Sequence, residues 1–374
     1  MKKKVTLMRA AVLHEYGKID KRPLKIQQVN ISKPKINEVL IKVLSTGVCH
    51  SDLHVIEGRT PIPLPCVCGH EVYGVVEEIG PYVTTVNTGD HVVAAFIWPC
   101  GKCYNCANGQ ENLCENMSII RPKGVLYDGT SRLSLPDGSP VYVFLGGGFA
   151  EYLVIPETGV KVLPQELRKE TSAILGCAIL TGYGAVVETG KVKVGENVAI
   201  FGVGGVGASI VQLSKAVNAS QIIAIDVIDK KLEWAKEFGA TDVINSKETD
   251  VVKAIKELTN GRGVDVAFEV VGLADTTYQA VESVRVGGRV VLVGLMPVGS
   301  AAPIHSARVV RGGIQIMGSY GGRPRTALPR IFDLVRKGLL NIDRFVMKRW
   351  KLEEVNEAFL SLSKGEVIRS IVTP

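Results

Sequence analysis

A strand that runs directly into a glycine-rich turn, with a helix after it, constrains the fold of this chain more than any other feature. The apolar run Asn197–Phe201 leads into a turn at positions 202–207, and a helical pattern follows. The glycines of this turn are Gly202, Gly204, Gly205 and Gly207. An acidic residue, Asp226, ends the next predicted strand. A glycine motif alone is a weak signal, but this order of strand, turn, helix and acid predicts a dinucleotide site.

The same region, up to residue 317, alternates short apolar strands with amphipathic helices. Helices are predicted between the strands, for instance at Val206–Val217 and Lys230–Phe238. The six predicted strands are Asn197–Phe201, Gln221–Ile225, Asp242–Ile244, Val264–Val270, Arg289–Gly294 and Gly313–Met317. Six strands joined by crossover helices describe a Rossmann-type, doubly wound parallel sheet.

The glycine turn and its helix suit the pyrophosphate of a dinucleotide. Glycines let the phosphates approach the first N–H groups of the helix, where unpaired donors and the helix dipole stabilise negative charge. Asp226 would accept hydrogen bonds from the adenosine ribose and repel a 2′-phosphate, so NAD is favoured over NADP. Lys231 close by would soften that preference. A solvated strand-end carboxylate is the alternative interpretation of Asp226.

The composition is that of a soluble globular protein with two domains of ordinary size. Of 374 residues, 46% are hydrophobic and 22% are charged, with a formal net charge of +7. Apart from Lys2–Lys4 the basic residues are scattered, so we expect no nucleic-acid partner. Arg9 and His14 interrupt the first apolar run too early for a signal peptide, and no later segment approaches a membrane span. We therefore expect a cytoplasmic protein with reduced cysteines.

The first part of the chain, from about residue 5 to 160, predicts short β segments separated by Gly, Pro and Asp turns. Examples are Val39–Val43, Val72–Ile79, His91–Phe96 and Tyr152–Ile155. The tail, from about Gly322, predicts a helix and a final strand at Val367–Val372. A lone C-terminal strand needs a sheet to join, so we expect the tail to pack on the first domain.

Four cysteines stand close together, with two residues between each of the first three and seven before the fourth. They are Cys100, Cys103, Cys106 and Cys114. Gly and Asn residues between them form turns that let the backbone fold tightly about a metal. Four thiolates close a tetrahedron around one zinc and leave no open position, so this site is structural. Disulfides or free thiols are the alternative.

A second set of metal-binding residue types is more widely scattered. Cys49 begins the segment Cys-His-Ser-Asp-Leu-His at 49–54, His70 and Glu71 form a pair, and Cys177 lies far downstream. Each is ambiguous alone, because a buried Cys177 is more often a core cysteine and a lone histidine is more often packed or at the surface. Two thiolates and one imidazole together form a three-ligand set that leaves a fourth zinc position open, as a catalytic zinc needs.

Taken together, these motifs resemble the zinc-dependent alcohol dehydrogenases of the medium-chain dehydrogenase/reductase superfamily over nearly the whole chain. The segments that carry the resemblance are 47–52, 69–71, the four-cysteine loop, 128–132, 149–152, 177–184 and 202–207. Segment 128–132 resembles the branch that includes the glutathione-dependent formaldehyde dehydrogenases. The resemblance implies a mostly-β, GroES-like catalytic domain at residues 1–178 and 322–374, with a dinucleotide-binding domain at 179–321.

The resemblance also implies roles for the scattered set. Cys49, His70 and Cys177 would hold the catalytic zinc, with Glu71 beside it as a transient ligand. Asp52 would orient His70 through its other ring nitrogen, as such carboxylates do beside metal-bound imidazoles. The expected cofactors are therefore two zinc ions per chain, one catalytic and one structural, together with NAD(H), or NADP(H) as the alternative.

Proton transfer and substrate binding follow from the same resemblance. Ser51 would take the alcohol proton and pass it through the cofactor ribose to His54 at the surface. An ordinary surface histidine is the alternative for His54. By family position Phe96 lines the substrate channel, although an aromatic residue there also suits the core.

Cofactor contacts are implied for five further residues. His50 and Arg369 would lie against the pyrophosphate. Thr181, Val206 and Val293 would press on the nicotinamide face.

The function expected from all of this is transfer of hydride between an alcohol and NAD(P), giving an aldehyde or ketone reversibly. The alternatives are an NADPH-dependent aldehyde or semialdehyde reductase and a glutathione-dependent formaldehyde dehydrogenase. A zinc-free quinone reductase and a non-catalytic zinc-stabilised protein are less favoured, because the three-ligand set is present. We expect a small-molecule substrate, no membrane partner, and a homodimer or homotetramer joined through the strand near Gly313–Met317.

Overall fold

A computed structural model of the chain describes residues 6–297 and 299–374. The basic run Lys2–Lys4 lies outside the described residues. The described strands are β1 (Thr6–Leu13), β2 (Leu24–Ile31), β3 (Glu38–Gly47), β4 (Cys66–Val67), β5 (Val72–Ile79), β6 (His91–Ala94), β7 (Leu133–Ser134), β8 (Pro140–Val143), β9 (Tyr152–Pro156), β10 (Val160–Val162), β11 (Asn197–Phe201), β12 (Gln221–Asp226), β13 (Asp242–Asn245), β14 (Val264–Glu269), β15 (Val284–Leu292), β16 (Gln315–Gly318), β17 (Val346–Lys351) and β18 (Arg369–Thr373).

Helices connect these strands. The α-helices are α1 (His50–Ile56), α2 (Tyr104–Ala107), α3 (Glu115–Ile120), α4 (Ala178–Tyr183), α5 (Gly205–Ala216), α6 (Asp229–Phe238), α7 (Val251–Leu258), α8 (Ala274–Ser283), α9 (Ser306–Gly312), α10 (Pro324–Arg336) and α11 (Val355–Ser363). The short 3₁₀ segments are Ile19–Lys21, Glu111–Leu113, Arg121–Lys123, Glu157–Gly159, Gln165–Leu167, Glu170–Gly176, Asp343–Phe345 and Leu352–Glu354, and Gly184–Thr189 forms a π-helical turn.

The chain divides into two compact units. Unit 1 comprises Met1–Cys177, Arg323–Arg336 and Asn341–Pro374, and unit 2 comprises Ala178–Gly322 and Lys337–Leu340. The domain boundaries expected from the sequence differ by one residue from the changes of unit at 177/178 and 322/323. The expectation placed Lys337–Leu340 in the first domain, whereas this short piece belongs to unit 2. Which unit carries which function stays a prediction at this point.

Unit 1 is built from two β systems. Strands β1, β2, β7, β8 and β4 form a closed barrel in that order. The second sheet has the order β10-β6-β5-β3-β18-β17, and β9 also pairs with β3. The closed barrel and the seven-stranded sheet each bury the alternating apolar side chains of their short strands. This agrees with the mostly-β interpretation of the region.

The tail completes the larger sheet of unit 1. Strand β18 pairs antiparallel with β3, with Ile371 opposite Gly47, and parallel with β17. The predicted return of the tail to the first domain is therefore confirmed, although β18 begins at Arg369 and not at Val367. Strand β17 was not predicted, because its sequence contains three basic residues and stands at the sheet edge, where charged side chains discourage further pairing.

Unit 2 contains one six-stranded sheet of order β13-β12-β11-β14-β15-β16. All five pairings are parallel, so the predicted doubly wound parallel sheet is confirmed. Its central strands β11, β12 and β14 are buried along nearly their whole length, as expected for a parallel sheet that is covered by helices on both faces. Phe201, Ile223 and Val290 belong to the buried cluster that holds helices α7 and α8 against the sheet.

The segment that resembles the formaldehyde dehydrogenase branch is an exposed ionic turn in unit 1 that is anchored by the buried Arg132. The Arg132 guanidinium is almost fully buried and pairs with Glu38 and with Asp128, the latter at 3.0 Å. Lys35 Nζ also donates to Asp128, at 2.6 Å. Although burial raises it, these donors and Thr130 hold the pKa of Asp128 below its usual range. The motif therefore stabilises the connection between the barrel and the sheet.

Among the described residues no single helix is long and apolar enough to cross a bilayer. One bent pair, 170–176 with 178–189, meets the criteria of length and composition only.

Candidate functional site

The widely scattered metal-binding residues meet in unit 1. One ligand atom from each of Cys49, His70, Glu71 and Cys177 lies within 4.8 Å of all the others. Cys49 immediately precedes α1, the His-Glu pair joins β4 to β5, and Cys177 follows a buried 3₁₀ segment. All four side chains are buried. The structure therefore brings together the four residues that the sequence assigned to one metal.

The position of His70 is fixed by its neighbours. His70 Nδ1 lies 3.0 Å from Asp52 Oδ1, which also accepts a hydrogen bond from the Gly69 N–H at 2.8 Å. This contact leaves Nε2 as the ring nitrogen that can hold a metal. Gly69 has φ +109°, and a Cβ there would lie 2.6 Å from the Phe149 nitrogen. Only glycine therefore permits the turn that delivers His70.

Charge at the cluster is incompletely compensated. Both oxygens of Glu71 lack a hydrogen-bond donor among the described residues, although Arg369 Nη2 lies 3.5 Å from Oε1. Burial raises the pKa of Glu71 to about 7, although the Arg369 cation acts to lower it. Arg369 Nη2 also lies 3.5 Å from Cys49 Sγ. A hydrogen bond from the Cys177 thiol lowers the pKa of Cys49, although burial raises it. A thiol of lowered pKa and a carboxylate without hydrogen-bond donors, both in one buried space, favour the binding of a metal cation.

Aromatic rings surround the imidazole. The ring of Phe96 meets His70 edge-on with centroids 6.1 Å apart, and Phe144 does the same at 5.6 Å. Both phenylalanines are buried. The sequence left open whether Phe96 lines the substrate channel or packs in the core, and it did not single out Phe144. The side chains that pack beside His70 in the candidate metal cluster are therefore apolar and aromatic.

The four-cysteine loop forms a second cluster in unit 1. The sulfur atoms of Cys100, Cys103, Cys106 and Cys114 lie within 4.8 Å of one another, and none forms a disulfide. Backbone N–H groups point at the sulfurs, with Cys103 N 3.4 Å from Cys100 Sγ. Asn116 Nδ2 donates to the same sulfur at 3.2 Å. These donors lower the pKa of Cys100 to about 6, although burial opposes them.

Two residues of this loop were missed by the sequence analysis. Asn116 stands two positions after the last cysteine, and only the folded loop shows that its amide reaches a thiolate. Glu111 is buried within the loop, and its carboxylate accepts the Arg325 N–H at 2.9 Å and pairs with the Arg325 guanidinium. Because Arg325 is the second residue of α10, Glu111 satisfies an N–H group that the helix itself leaves unpaired.

The glycine turn of unit 2 has the geometry that close approach of phosphate requires. Gly202 has φ +96°, and a Cβ on Gly207 would overlap the Gly202 carbonyl. By contrast, a Cβ on Gly204 would meet no atom within 4 Å, so the turn is open at its outer side. Helix α5 begins at Gly205 with no side-chain cap on its first N–H groups. These groups are available to an anion.

Asp226 is buried at the edge of this turn and closes it with three hydrogen bonds. Its Oδ2 accepts the Val203 N–H at 2.8 Å, and its Oδ1 accepts the N–H groups of Val227 and Ile228 at 2.8 and 3.1 Å. Val227 and Val271, which follow the strands on either side of β11, are 45% and 43% exposed. The sequence analysis singled out neither valine, because their exposure is known only from the folded chain. The signal in the sequence is a valine one or two positions after the end of an apolar strand.

The remaining predicted residues occupy both units. In unit 1, His50 begins α1 and is exposed, and Ser51 Oγ lies 3.8 Å from Cys49 Sγ. His54 is half-buried on the same helix, and burial together with the Arg59 cation lowers its pKa. The contact of Arg369 with a pyrophosphate stays a prediction.

Four predicted residues of unit 2 stand on three helices and one loop. Thr181 is buried in α4, Val206 lies in the first turn of α5, Lys231 lies in α6, and Val293 follows β15. Their contacts with a cofactor stay predictions.

Both sulfur clusters fit zinc, and the glycine turn fits a dinucleotide. The first cluster offers two sulfurs and one imidazole beside a carboxylate without donors, which is a zinc set with an open position. The second offers four sulfurs and no open position. The turn at Gly204 offers free space beside unpaired N–H groups.

Family models match both units of the chain. Residues 35–165 match the alcohol dehydrogenase GroES-like domain, and residues 205–337 match the zinc-binding dehydrogenase model. The S-(hydroxymethyl)glutathione dehydrogenase of Synechocystis is 38% identical over 370 residues, which cover 97% of this chain and 99% of that protein.

Solved structures agree with these matches. The benzyl alcohol dehydrogenase of Acinetobacter calcoaceticus is 34% identical with a TM-score of 0.92, covering 98% of this chain and 99% of that one. A zinc-binding dehydrogenase of Sinorhizobium meliloti, solved with NADP, is 28% identical with a TM-score of 0.82, covering 99% and 100%. The protein is thus an oxidoreductase that acts on alcohols with zinc and a nicotinamide cofactor. It belongs to the zinc-dependent alcohol dehydrogenases of the medium-chain dehydrogenase/reductase superfamily.

Proposed function

We propose that this dehydrogenase interconverts primary alcohols carrying an aromatic or other apolar group with their aldehydes, using NAD. In the forward direction the alcohol carbon gives a hydride to the nicotinamide, the hydroxyl gives up a proton, and the products are aldehyde, NADH and a proton. The observation that carries the substrate class is the pair of phenylalanine edges beside His70. An apolar wall favours an apolar substituent and offers no partner for a charged one.

Cys49, His70 and Cys177 would hold one zinc, and the four-cysteine loop would hold a second. When bound, the first zinc supplies Lewis acidity to the substrate oxygen. Asp52 keeps the imidazole ring of His70 in one orientation through its contact with Nδ1. Because both sites need reduced thiols, we also propose that the protein works in the cytoplasm.

Ser51 and His54 are proposed to carry the proton out of the site. They lie three positions apart on α1, and therefore on one side of the helix. The Ser51 hydroxyl is 3.8 Å from Cys49 Sγ, so it is beside the metal ligands. His54 is half-buried, and its lowered pKa keeps the ring neutral and able to accept a proton in mildly acidic solution.

We expect replacement of Arg59 to shift the pH dependence of alcohol oxidation. Burial and the Arg59 cation lower the pKa of His54, so Arg59→Gln should raise that pKa. The acidic limb of kcat/KM should then move to higher pH, because the ring gains a proton at a higher pH than before. Profiles between about pH 5 and 9, with zinc content checked, measure this shift. Arg22→Gln, which removes an exposed arginine paired with Glu357, is the control. An acidic limb that stays in place would exclude His54 as the group that titrates.

The preference for NAD rests on Asp226. Its carboxylate stands at the end of β12, beside the glycine turn, where a 2′-phosphate would be repelled. The exposed side chains of Val227 and Val271 flank the same turn and suit the two faces of an adenine ring. Lys231 offers a partly exposed cation in the next helix, which would limit the preference without reversing it.

A glutathione adduct of formaldehyde is the second candidate substrate, because the Synechocystis relative carries that activity in its name. Such an adduct brings two carboxylates, which require cationic partners. Arg369, the arginine at the metal cluster, is buried and contacts Glu71 and Cys49. The site geometry therefore favours the apolar alcohol.

A direct comparison of substrates tests the proposal. We expect kcat/KM for benzyl alcohol with NAD to exceed that for S-(hydroxymethyl)glutathione by about tenfold or more, and NAD to be preferred over NADP. The control is ethanol, which lacks the ring and should fall well below benzyl alcohol. A reversed order of the first two substrates would favour the second candidate and contradict the aromatic-pocket proposal.

We also propose that two copies associate through β16. This strand is the last in the order of its sheet, with β15 on one side. Its backbone groups on the other side are available for pairing with a second copy. Sedimentation of the protein should give a dimer or a tetramer, and a monomer at micromolar concentration would contradict this proposal.

A further inference from the structure

Glu269 is a buried carboxylate at the carboxyl end of β14. It is 1% exposed and stands beside Phe201 of β11 on one side and Leu292 of β15 on the other. Among the described residues no Lys, Arg or His forms an ion pair with it. Burying a carboxylate without a cation is costly unless hydrogen bonds compensate. Such a group is retained for what its hydrogen bonds hold in place.

The hydrogen bonds of Glu269 join two loops. Its Oε1 accepts the N–H groups of Val271 and Gly272 at 2.9 and 2.8 Å, and the hydroxyl of Thr276 at 2.8 Å. Its main-chain carbonyl accepts the N–H groups of Val293 and Gly294 at 2.8 and 3.0 Å. One residue therefore fixes the loop after β14 (residues 270–273) and the loop after β15 (residues 293–295).

The two loops also pack backbone against backbone. Gly272 has φ +82°, and a Cβ there would lie 2.6 Å from the Leu295 oxygen. A Cβ on Gly294 would overlap the Gly272 nitrogen. Because neither position has room for a side chain, a displacement of one loop must displace the other.

The loop after β14 borders the glycine turn. The Val270 N–H donates to the Phe201 carbonyl at 3.0 Å, directly before the turn. A Cβ on Gly202 would lie 2.6 Å from Val271 Cγ2, so Val271 covers the start of the turn. Val293, in the other loop, is a predicted nicotinamide contact. The loop after β14 thus lines the glycine turn on the side of β14, and the loop after β15 is packed against that loop.

We propose that Glu269 is a positioning residue for the cofactor. Its buried carboxylate holds Val271 in the place that the dinucleotide contacts, and the backbone packing of the two loops extends this order to Val293. The proposal rests on the dinucleotide site described above. Glu269 touches no reacting atom, so its effect is on cofactor affinity and loop order. Zinc content and the alcohol-binding wall in unit 1 are unaffected.

The same strand provides a matched control. Asp265, at the amino end of β14, is also a buried carboxylate, and it accepts the Asn197 N–H at 2.8 Å and pairs with Arg285 at 2.6 Å. Glu269→Ala and Asp265→Ala therefore remove one buried carboxylate each, from opposite ends of one strand. We expect Glu269→Ala to raise the Kd of NADH by about 10- to 100-fold, measured by fluorescence titration without alcohol. Asp265→Ala should lower the melting temperature but leave that Kd within about twofold.

Two further variants and a hydrogen-exchange measurement separate this effect from misfolding. Glu269→Gln keeps one acceptor oxygen and should give an intermediate Kd. Gly272→Ala keeps the carboxylate in the chain but disturbs the two loops that it holds, and it should also weaken NADH binding. Amide hydrogen exchange of residues 270–276 and 293–295 should accelerate in Glu269→Ala without cofactor, and not in Asp265→Ala. Equal losses of NADH affinity in the two alanine variants would overturn the proposal. An unmutated protein that does not bind NADH would overturn the dinucleotide site itself.

Discussion

The His70→Ala variant is expected to lose at least about a thousandfold in kcat/KM for alcohol oxidation. The imidazole is one of three ligands that the first cluster offers to a metal, and Asp52 holds it in place. Lewis-acid catalysis by zinc is worth several kcal/mol, and each 1.36 kcal/mol is about a factor of ten in rate. Steady-state kinetics, together with zinc analysis of the purified variant, measure the loss.

The specificity of that effect is checked in the same samples. The Kd of NADH should change little in His70→Ala, because the glycine turn belongs to unit 2. Cys66→Ala is the matched control, since Cys66 is buried in the barrel strand β4 and stands outside both sulfur clusters. It should keep two zinc ions and most of the activity. Substantial turnover by His70→Ala would show that the first cluster does not hold the catalytic metal.

Replacing Cys103 by serine should lower stability and leave one zinc ion per chain. The four sulfurs are the only side chains of this loop that converge on one point among the residues described, and a structural zinc contributes folding free energy directly. We expect a loss of about 3–5 kcal/mol, which corresponds to roughly 10 °C in melting temperature for a domain of this size. Thermal scans and metal analysis measure both quantities.

A chelator gives an independent route to the same state. A strong chelator should lower the melting temperature of the unmutated protein towards that of Cys103→Ser, and it should have little further effect on the stability of the variant. Cys66→Ala again serves as control, because a buried cysteine is removed without removing a ligand. If Cys103→Ser keeps two zinc ions and melts with the unmutated protein, the assignment of a structural zinc is wrong.

Features set by local sequence were predictable, and those set by long-range packing were not. The six strands of unit 2 follow from apolar runs between breakers. Their bounds agree with the expectation within two residues, except for the start of β15. That strand begins at Val284, five residues earlier than expected, because Gly287 and Gly288 disguise its first half. Strand β17 was missed because its basic residues conceal an edge strand.

The candidate site shows the same division. Spacing alone indicated the four-cysteine cluster, whereas Cys177 joined Cys49 only through family resemblance, because no local pattern links positions so far apart. The resemblance implied that Arg369 lies against the pyrophosphate, which stays a prediction, whereas its contacts with Glu71 and Cys49 are known only from the fold. Asn116 and Glu269 act through hydrogen bonds that exist only after their loops have folded.

Because β18 pairs with β3, the two units become complete at different times during synthesis on the ribosome. Unit 2 has all six of its strands once Gly318 has emerged, so this middle portion can fold while synthesis continues. The larger sheet of unit 1 must wait for Arg369–Thr373, although most of its strands were made first. Once β9 has paired with Glu38–Lys42, the nascent chain still carries an open β edge at Thr46 and Gly47 of β3 until translation is nearly complete. That edge is where a chaperone would be needed.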